Sequence, residues 1–277
     1  MANKRPNSRR NLDAAIQRLF GADYGVERIR KMMANTIVGQ LLPKGAIKGG
    51  SSLKFRYGDK ATRFTRDLDA ARAEDLDVFI KELEAALTKG WNGFTGKIAR
   101  LQPARPKNVP DEYVMQPYAI KMSYNGTSWQ TVQFELGHDE IGDTDNPDYA
   151  ISSDIVAVFE QLGFPSPKPV ALMPIRHQIA QKLHALSDED NERAHDLIDL
   201  QLIGENEAID YRLVKETCKR LFASRRTQSW PPVIEHNVAW DTLYAAQIVG
   251  LKVLEAAEEA VAWVNEFISM IDAAEDR

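Results

Sequence analysis

The chain has 277 residues, of which 44% are hydrophobic and 27% charged, with a net charge of −5. That length can bury one large core or two smaller ones, and the composition is that of an ordinary folded protein. No run approaches the ~20 apolar residues of a membrane span, no apolar stretch follows the basic N-terminus as a secretory signal requires, and the single cysteine, Cys218, excludes a disulfide framework or a Cys-cluster metal site. The five histidines lack zinc-ligand spacing. These features lead us to expect a cytoplasmic protein with no membrane association.

Charge is distributed unevenly. Residues 1–66 carry 15 Lys and Arg against four Asp and Glu, whereas residues 229–277 carry two basic against nine acidic residues. A basic end suits a polyanionic partner. It equally suits a solvated face.

Apolar residues at helical spacing predict helices over 11–20 and 26–42, the second with Ile29, Met32, Met33, Ile37 and Leu41 on one face and ended by Pro43-Lys44-Gly45. Ala46-Ile47-Lys48 reads as a short strand entering a Gly49-Gly50 turn. Leu53, Phe55 and Tyr57 alternate with basic residues and predict a half-exposed strand, and residues 63–70 predict another. A helix is expected over 75–89. Strands are expected over 93–101, 113–124 and 127–136, the last two joined by the hairpin signal Asn125-Gly126. The proline-rich residues 102–111 read as a loop.

Beyond about residue 151 the pattern becomes helical: 151–163, 174–187, 190–203, 210–225, and a long stretch over 240–274 interrupted near Gly250. The expected fold class is therefore α+β, with a mixed-sheet domain over 1–150 and a helical domain over 151–277.

Residues 48–69 hold the most chemistry. Lys48-Gly49-Gly50-Ser51-Ser52-Leu53 is followed by Arg63-Phe64-Thr65-Arg66-Asp67-Leu68-Asp69. On a strand, Asp67 and Asp69 share one face while Leu68 points into the sheet. Two carboxylates so close repel unless a cation joins them. Mg²⁺ takes oxygen ligands and leaves positions for phosphates and water, and two such ions can clamp an in-line displacement. Gly49 and Gly50 permit positive φ and close approach to a phosphate. Ser51 and Ser52 add hydroxyl donors beside amides that can bind an anion, and Arg63 and Arg66 can offset phosphate charge. A Gly-Gly turn or an Asp-x-Asp strand alone is common on ordinary surfaces; their order in one segment is the specific signal. A third acid is expected on a neighbouring strand. Glu135 is the best placed, opposite the apolar face of Val132, Phe134 and Leu136, with Asp139 and Glu140 as alternatives.

These motifs resemble the DNA polymerase β-like nucleotidyltransferase superfamily and, within it, the AbiEii/AbiGii-type toxins of abortive-infection and type IV toxin–antitoxin systems. Lys48 to Leu53 looks like that group's Lys-Gly-Gly-Thr/Ser-x-Leu, and Arg63 to Asp69 like its Arg-Phe-Ser/Thr-x-Asp-Leu/Ile-Asp. Lys182, followed by Arg193-x-x-Asp196-x-x-Asp199, looks like the group's second block. The resemblance implies a polymerase β-like sheet domain and a helical domain that contributes Lys and Asp to the active site. It implies transfer of a nucleoside monophosphate from an NTP to an acceptor, most specifically a tRNA 3′ end, so that translation is blocked. Asp67, Asp69 and Glu135 would hold two Mg²⁺ ions, Gly49, Gly50, Ser51, Ser52, Arg63, Arg66 and Lys182 would hold the triphosphate, and Asp196 would be a further essential acid, assisted by Asp199. Glu135 or Asp196 would serve as general base. A cognate antitoxin would be the protein partner. The segment 187–190 is acidic where the group often carries another basic residue, which leaves nucleotide and acceptor preference open. Two alternatives remain: transfer to a protein or small-molecule hydroxyl, and a degenerate scaffold that only binds a partner.

Overall fold

A computed structural model describes residues 4–22, 25–103, 114–188 and 191–275. The expected loop over 102–111 lies outside the described residues from 104 onward. The chain divides into two compact units. The first comprises residues 1–59, 65–139 and 147–172; the second comprises 60–64, 140–146 and 173–277.

The first unit is built on a seven-stranded mixed sheet with strand order β3-β4-β5-β2-β1-β7-β6. Its strands are β1 (Gly45–Lys48), β2 (Asp67–Arg72), β3 (Phe94–Arg100), β4 (Gln116–Tyr124), β5 (Thr127–His138), β6 (Asp148–Ala150) and β7 (Val170–Leu172). The helices are α1 (Arg9–Phe20), α2 (Val26–Leu41), α3 (Gly49–Tyr57), α4 (Leu76–Lys89) and α5 (Ser153–Gln161). The predicted hairpin joins β4 to β5, with Asn125 at φ 45° and Gly126 at φ 79°, the two positive values a tight two-residue turn requires. Leu68 and Ala70 of β2 and Val132, Phe134 and Leu136 of β5 are buried with Met33 and Ile37 of α2, Phe79 and Leu83 of α4, and Phe159 of α5. One face of the sheet thus carries the core.

The alternating segment 53–57 is helical, not a strand. Leu53 and Phe55 are buried as expected, but so is Lys54, whose ammonium is ion-paired with the buried Asp59 carboxylate, itself bound by Arg28. An apolar–basic alternation reads as a half-exposed strand only if the basic residues face solvent. Here a buried ion pair removed that premise. The strand expected from residue 63 begins instead at Asp67. The short strands β6 and β7 were not expected; three residues each are too few for periodicity to show.

The second unit is helical: α6 (Ile175–Leu186), α7 (Ala194–Asn206), α8 (Tyr211–Arg225), α9 (Ala239–Ala245) and α10 (Ala257–Asp272). Its core includes Leu183, Ile198, Leu221, Trp240, Tyr244 and Phe267. The helical stretch expected over 240–274 with an interruption near Gly250 is two helices, α9 and α10. Between them, Gly250 adopts φ 81°. The buried Gln201 accepts from the Leu254 amide at 2.9 Å, and the Tyr244 hydroxyl donates to the Leu254 carbonyl at 2.8 Å. Those side chains supply the partners that a continued helix would have given the backbone. Cys218 is buried, and desolvation raises its thiol far above the ordinary range, so it is an inert packing residue. His184 is likewise a packed residue, its ring 4.8 Å from that of Phe222.

Candidate active site

Four residues separate the end of β1 from the interior of α3, and they set the geometry of the first site. Lys48 ends β1 and caps α3 in extended conformation; Gly49 then turns at φ +63°. The first turn of α3 is Gly49, Gly50, Ser51 and Ser52. Amides of a first helical turn point out of its N-terminal end, where the helix dipole is positive. Ser51 and Ser52 are buried, and the Ser51 hydroxyl donates to the Asp67 carbonyl at 2.7 Å. That bond fixes the helix start against the first residue of β2.

Asp67 and Asp69 lie on the half-buried face of β2, with Leu68 and Ala70 on the buried one. Register places Lys48 opposite Asp69 on β1, and Glu135 opposite Asp69 on the parallel strand β5. Gln133 is opposite Asp67. Glu135 therefore sits beside the diad on the same face. Gly49 lies so near that a Cβ there would be 2.5 Å from Asp69 Oδ2. Burial raises the Asp67 carboxyl above its ordinary range, and the nearby Lys31 and Arg66 draw it part of the way back.

Sequence reasoning gave Lys48 no role and missed Lys31. Lys48 Nζ is 3.3 Å from where a Cβ on Gly137 would lie, two residues past Glu135, so the lysine extends across the diad's face from β1 toward β5. Its place at the head of the Gly-Gly motif was a usable signal. Lys31, on α2, acts electrostatically on Asp67 from 36 positions away in sequence, and only the fold brings its charge near.

Among the described residues, no group of three or more His, Cys, Asp or Glu side chains could by itself hold a metal ion. The diad nevertheless suits a hard divalent cation. Its donors are carboxylate oxygens alone, and such ions fill most of their positions with water and substrate phosphate. Of the alternative acids, Glu140 forms a two-pronged ion pair with Arg225 at 2.7 and 2.8 Å in the second unit. Asp139 follows β5, its amide donating to the Arg72 carbonyl.

The second unit holds its own charged cluster. Lys182 of α6 donates to Asp196 Oδ1 at 2.7 Å and to Asp199 Oδ2 at 2.6 Å. Arg63 forks onto both oxygens of Asp199 at 2.9 Å, and Arg193 donates to Asp196 Oδ2 at 2.7 Å. Asp196 and Asp199, three apart on α7, are essentially without solvent exposure, and Lys182 is buried with them. Burial pushes both carboxyls up. Arg193 and Lys182 outweigh that at Asp196, as Arg63 and Lys182 do at Asp199, and hold both below the ordinary range. Burial also drives the adjacent His195 down to about 4, so it is neutral near pH 7. The structure thus gathers four predicted residues, Arg63, Lys182, Asp196 and Asp199, into one mutually neutralising network. Arg66 is exposed beside the diad strand.

Among the described residues, no helix is long and apolar enough to cross a membrane. The fold is similar to that of MenT4, a nucleotidyltransferase toxin from Mycobacterium tuberculosis, with a TM-score of 0.60 and 15% identity over 95% of this chain and 90% of that one. JHP933 from Helicobacter pylori matches at a TM-score of 0.43 and 16% identity, over 87% of this chain and 89% of that one. No curated protein matches in sequence. The family model described as nucleotidyl transferase AbiEii toxin of the type IV toxin–antitoxin system matches residues 31–271. That span takes in the glycine turn, the diad strand and the buried Lys–Asp network, and the chain belongs to the AbiEii nucleotidyltransferase toxin family.

Proposed function

We propose that this nucleotidyltransferase transfers a nucleoside monophosphate from an NTP to the 3′ end of tRNA in an Mg²⁺-dependent reaction in the cytoplasm, and that a cognate antitoxin restrains it. The observation that carries the chemistry is the diad on β2, with Glu135 in register beside Asp69 and the first turn of α3 closing against the same carboxylate.

In this reading Asp67 and Asp69 hold Mg²⁺, which when bound would supply charge stabilisation for the phosphates. The first-turn amides of α3, at Gly49 to Ser52, hold the β- and γ-phosphates. Lys48 extends over the diad and offsets the negative charge that builds on the leaving group. The acceptor hydroxyl oxygen attacks the α-phosphorus and gives its proton to Glu135. The bond from the α-phosphorus to the bridging oxygen breaks, and pyrophosphate departs. Arg66, exposed near Asp67, is a further phosphate cation. Lys182 and Asp196 are proposed as a second essential pair on the strength of the family motif. The role their geometry supports is mutual neutralisation within the second unit.

Transfer to tRNA rests on the family and on the basic character of residues 1–66. The test is incubation of the purified protein with total tRNA, Mg²⁺ and each α-labelled NTP in turn, with Asp69→Ala as control. Label in tRNA from one NTP, absent in the control, is expected. Folded protein that labels no tRNA with any NTP would move the acceptor to a protein or a small molecule.

A further inference from the structure

We propose that a polar pocket on the β5 side of the diad seats the acceptor, and that its lining selects the sugar–phosphate end of a nucleic acid strand over a cationic or apolar small molecule. The proposal rests on the nucleotidyltransferase reading and adds where the attacking hydroxyl comes from.

The pocket has a volume of about 410 Å³ and lies wholly in the first unit. Glu27 and Lys31 of α2 form one wall; Ser128, Gln130, Thr131 and Gln133 of β5, with the largely buried Trp129 between them, form the other. Gln130 donates to Glu27 at 2.7 Å, which fixes that amide. Gln133 is the register partner of Asp67, so the pocket begins one strand away from the metal-binding face.

Direction follows from the strand order. β2 lies between β5 and β1, and the first turn of α3, the anion cradle, follows directly from β1. In an in-line displacement the entering and leaving oxygens stand on opposite sides of the phosphorus. With the departing pyrophosphate held on the β1 side, attack must come from the β5 side. There Glu135 stands beside Asp69, and Gln133 and Thr131 precede it on the same strand face.

The lining then names the class of acceptor. Hydroxyls and amides offer donors and acceptors to ribose hydroxyls and base edges. Lys31 supplies a compact cation for a phosphate. A cationic antibiotic would want several free carboxylates, whereas the one acid in the lining, Glu27, already meets Gln130 and lies 3.7 Å from Arg30. The volume lies within the ~300–1,000 Å³ of small-ligand sites and is suited to a single nucleotide, not a folded domain.

The test uses the full chain. Ser128→Trp fills the pocket from an exposed strand position, and Gln133→Ala removes a polar contact; an unchanged melting temperature verifies folding in each. Two quantities are read: binding of a labelled acceptor-stem RNA without NTP, and separate KM values for RNA and NTP. We expect Ser128→Trp to weaken RNA binding and raise the RNA KM by about tenfold or more, with the NTP KM changed less than about twofold. Gln133→Ala should do the same more weakly. Lys31→Gln should lower the slope of RNA affinity against salt by about one phosphate contact. A raised NTP KM with RNA binding intact, or no change in either, would overturn the assignment. If the wild-type protein transfers nothing, the RNA-binding measurement still decides: binding lost in Ser128→Trp supports the pocket, and binding unaffected or absent in the wild type refutes it.

Discussion

Gly49 and Asp69 are in such close approach that a single added carbon on the glycine would stand 2.5 Å from the carboxylate oxygen. The glycine also turns at φ +63° to start α3. One residue thus joins the helix start and the placement of the second diad carboxylate, so the two parts of the motif are a single unit in space.

Gly49→Ala should therefore act like a diad mutation. The backbone strain costs about 1–2 kcal/mol, a modest loss of melting temperature. Displacement of Asp69 should reduce transfer by about 100-fold, since small misplacements of catalytic groups carry that penalty. Labelled transfer and thermal unfolding on one preparation check both. Activity within a few-fold of wild type would mean that Asp69 tolerates the displacement.

Lys182→Met should first be a stability mutation. The lysine lies between two buried carboxylates, and its removal leaves Arg63 and Arg193 to satisfy both. Breaking a buried pair by deleting one partner typically costs about 3–5 kcal/mol. Urea unfolding should show a midpoint well below wild type, and Lys182→Met combined with Asp196→Asn should recover part of the loss. A wild-type midpoint in the single variant would show that the network contributes little. Loss of activity at Lys182 speaks of phosphate contact only once folding has been verified.

Acidification gives a further prediction. Burial holds His184 and His195 down to about 4 in the folded protein, against about 6.5 unfolded. Between those values the unfolded chain binds more protons, so stability is full above about pH 6.5 and declines as pH falls toward 4, by up to about 1.4 kcal/mol per pH unit for each histidine. Asp196 and Asp199 are held low, so their contribution is present above about pH 4 and is lost below it. Unfolding midpoints should be similar at pH 7.5 and 6.5 and fall from 6.5 through 5.5 to 4.5. His195→Gln should flatten the decline, and a flat wild-type profile would show that neither histidine is held neutral.

The diad could be read from the sequence because alternation on a strand is a local property: Asp67, Leu68 and Asp69 had only to form a strand to separate by face. Glu135 was legible for the same reason, since Val132, Phe134 and Leu136 marked the opposite face. What escaped was long-range. Lys54 looked solvent-facing because its partner Asp59 lay beyond the pattern, and a helix was read as a strand. Arg63 read as the start of β2, yet its guanidinium meets Asp199, 136 positions away. Lys31 gave no sign at all, because nothing local to α2 distinguishes a lysine whose charge acts on Asp67 from one that acts on no partner.

Glu135 carries two proposed roles that one substitution separates. Glu135→Gln keeps the side chain's shape and hydrogen-bonding reach but removes a charged ligand and a proton acceptor. If Glu135 takes the acceptor's proton, kcat falls by about 10²–10⁴, whereas the thermal stabilisation by NTP with Mg²⁺ persists because Asp67 and Asp69 remain. If instead it holds metal, that stabilisation falls as well and the Mg²⁺ requirement for transfer rises. We expect the first pattern. The two carboxylates on β2 are a sufficient protein contribution for an ion that draws most of its ligands from phosphate and water. Glu135 stands on the neighbouring strand, on the side from which the hydroxyl must enter if pyrophosphate leaves over α3. A lost thermal shift in Glu135→Gln, with both aspartates intact, would make the glutamate a metal ligand and require another group to receive the proton.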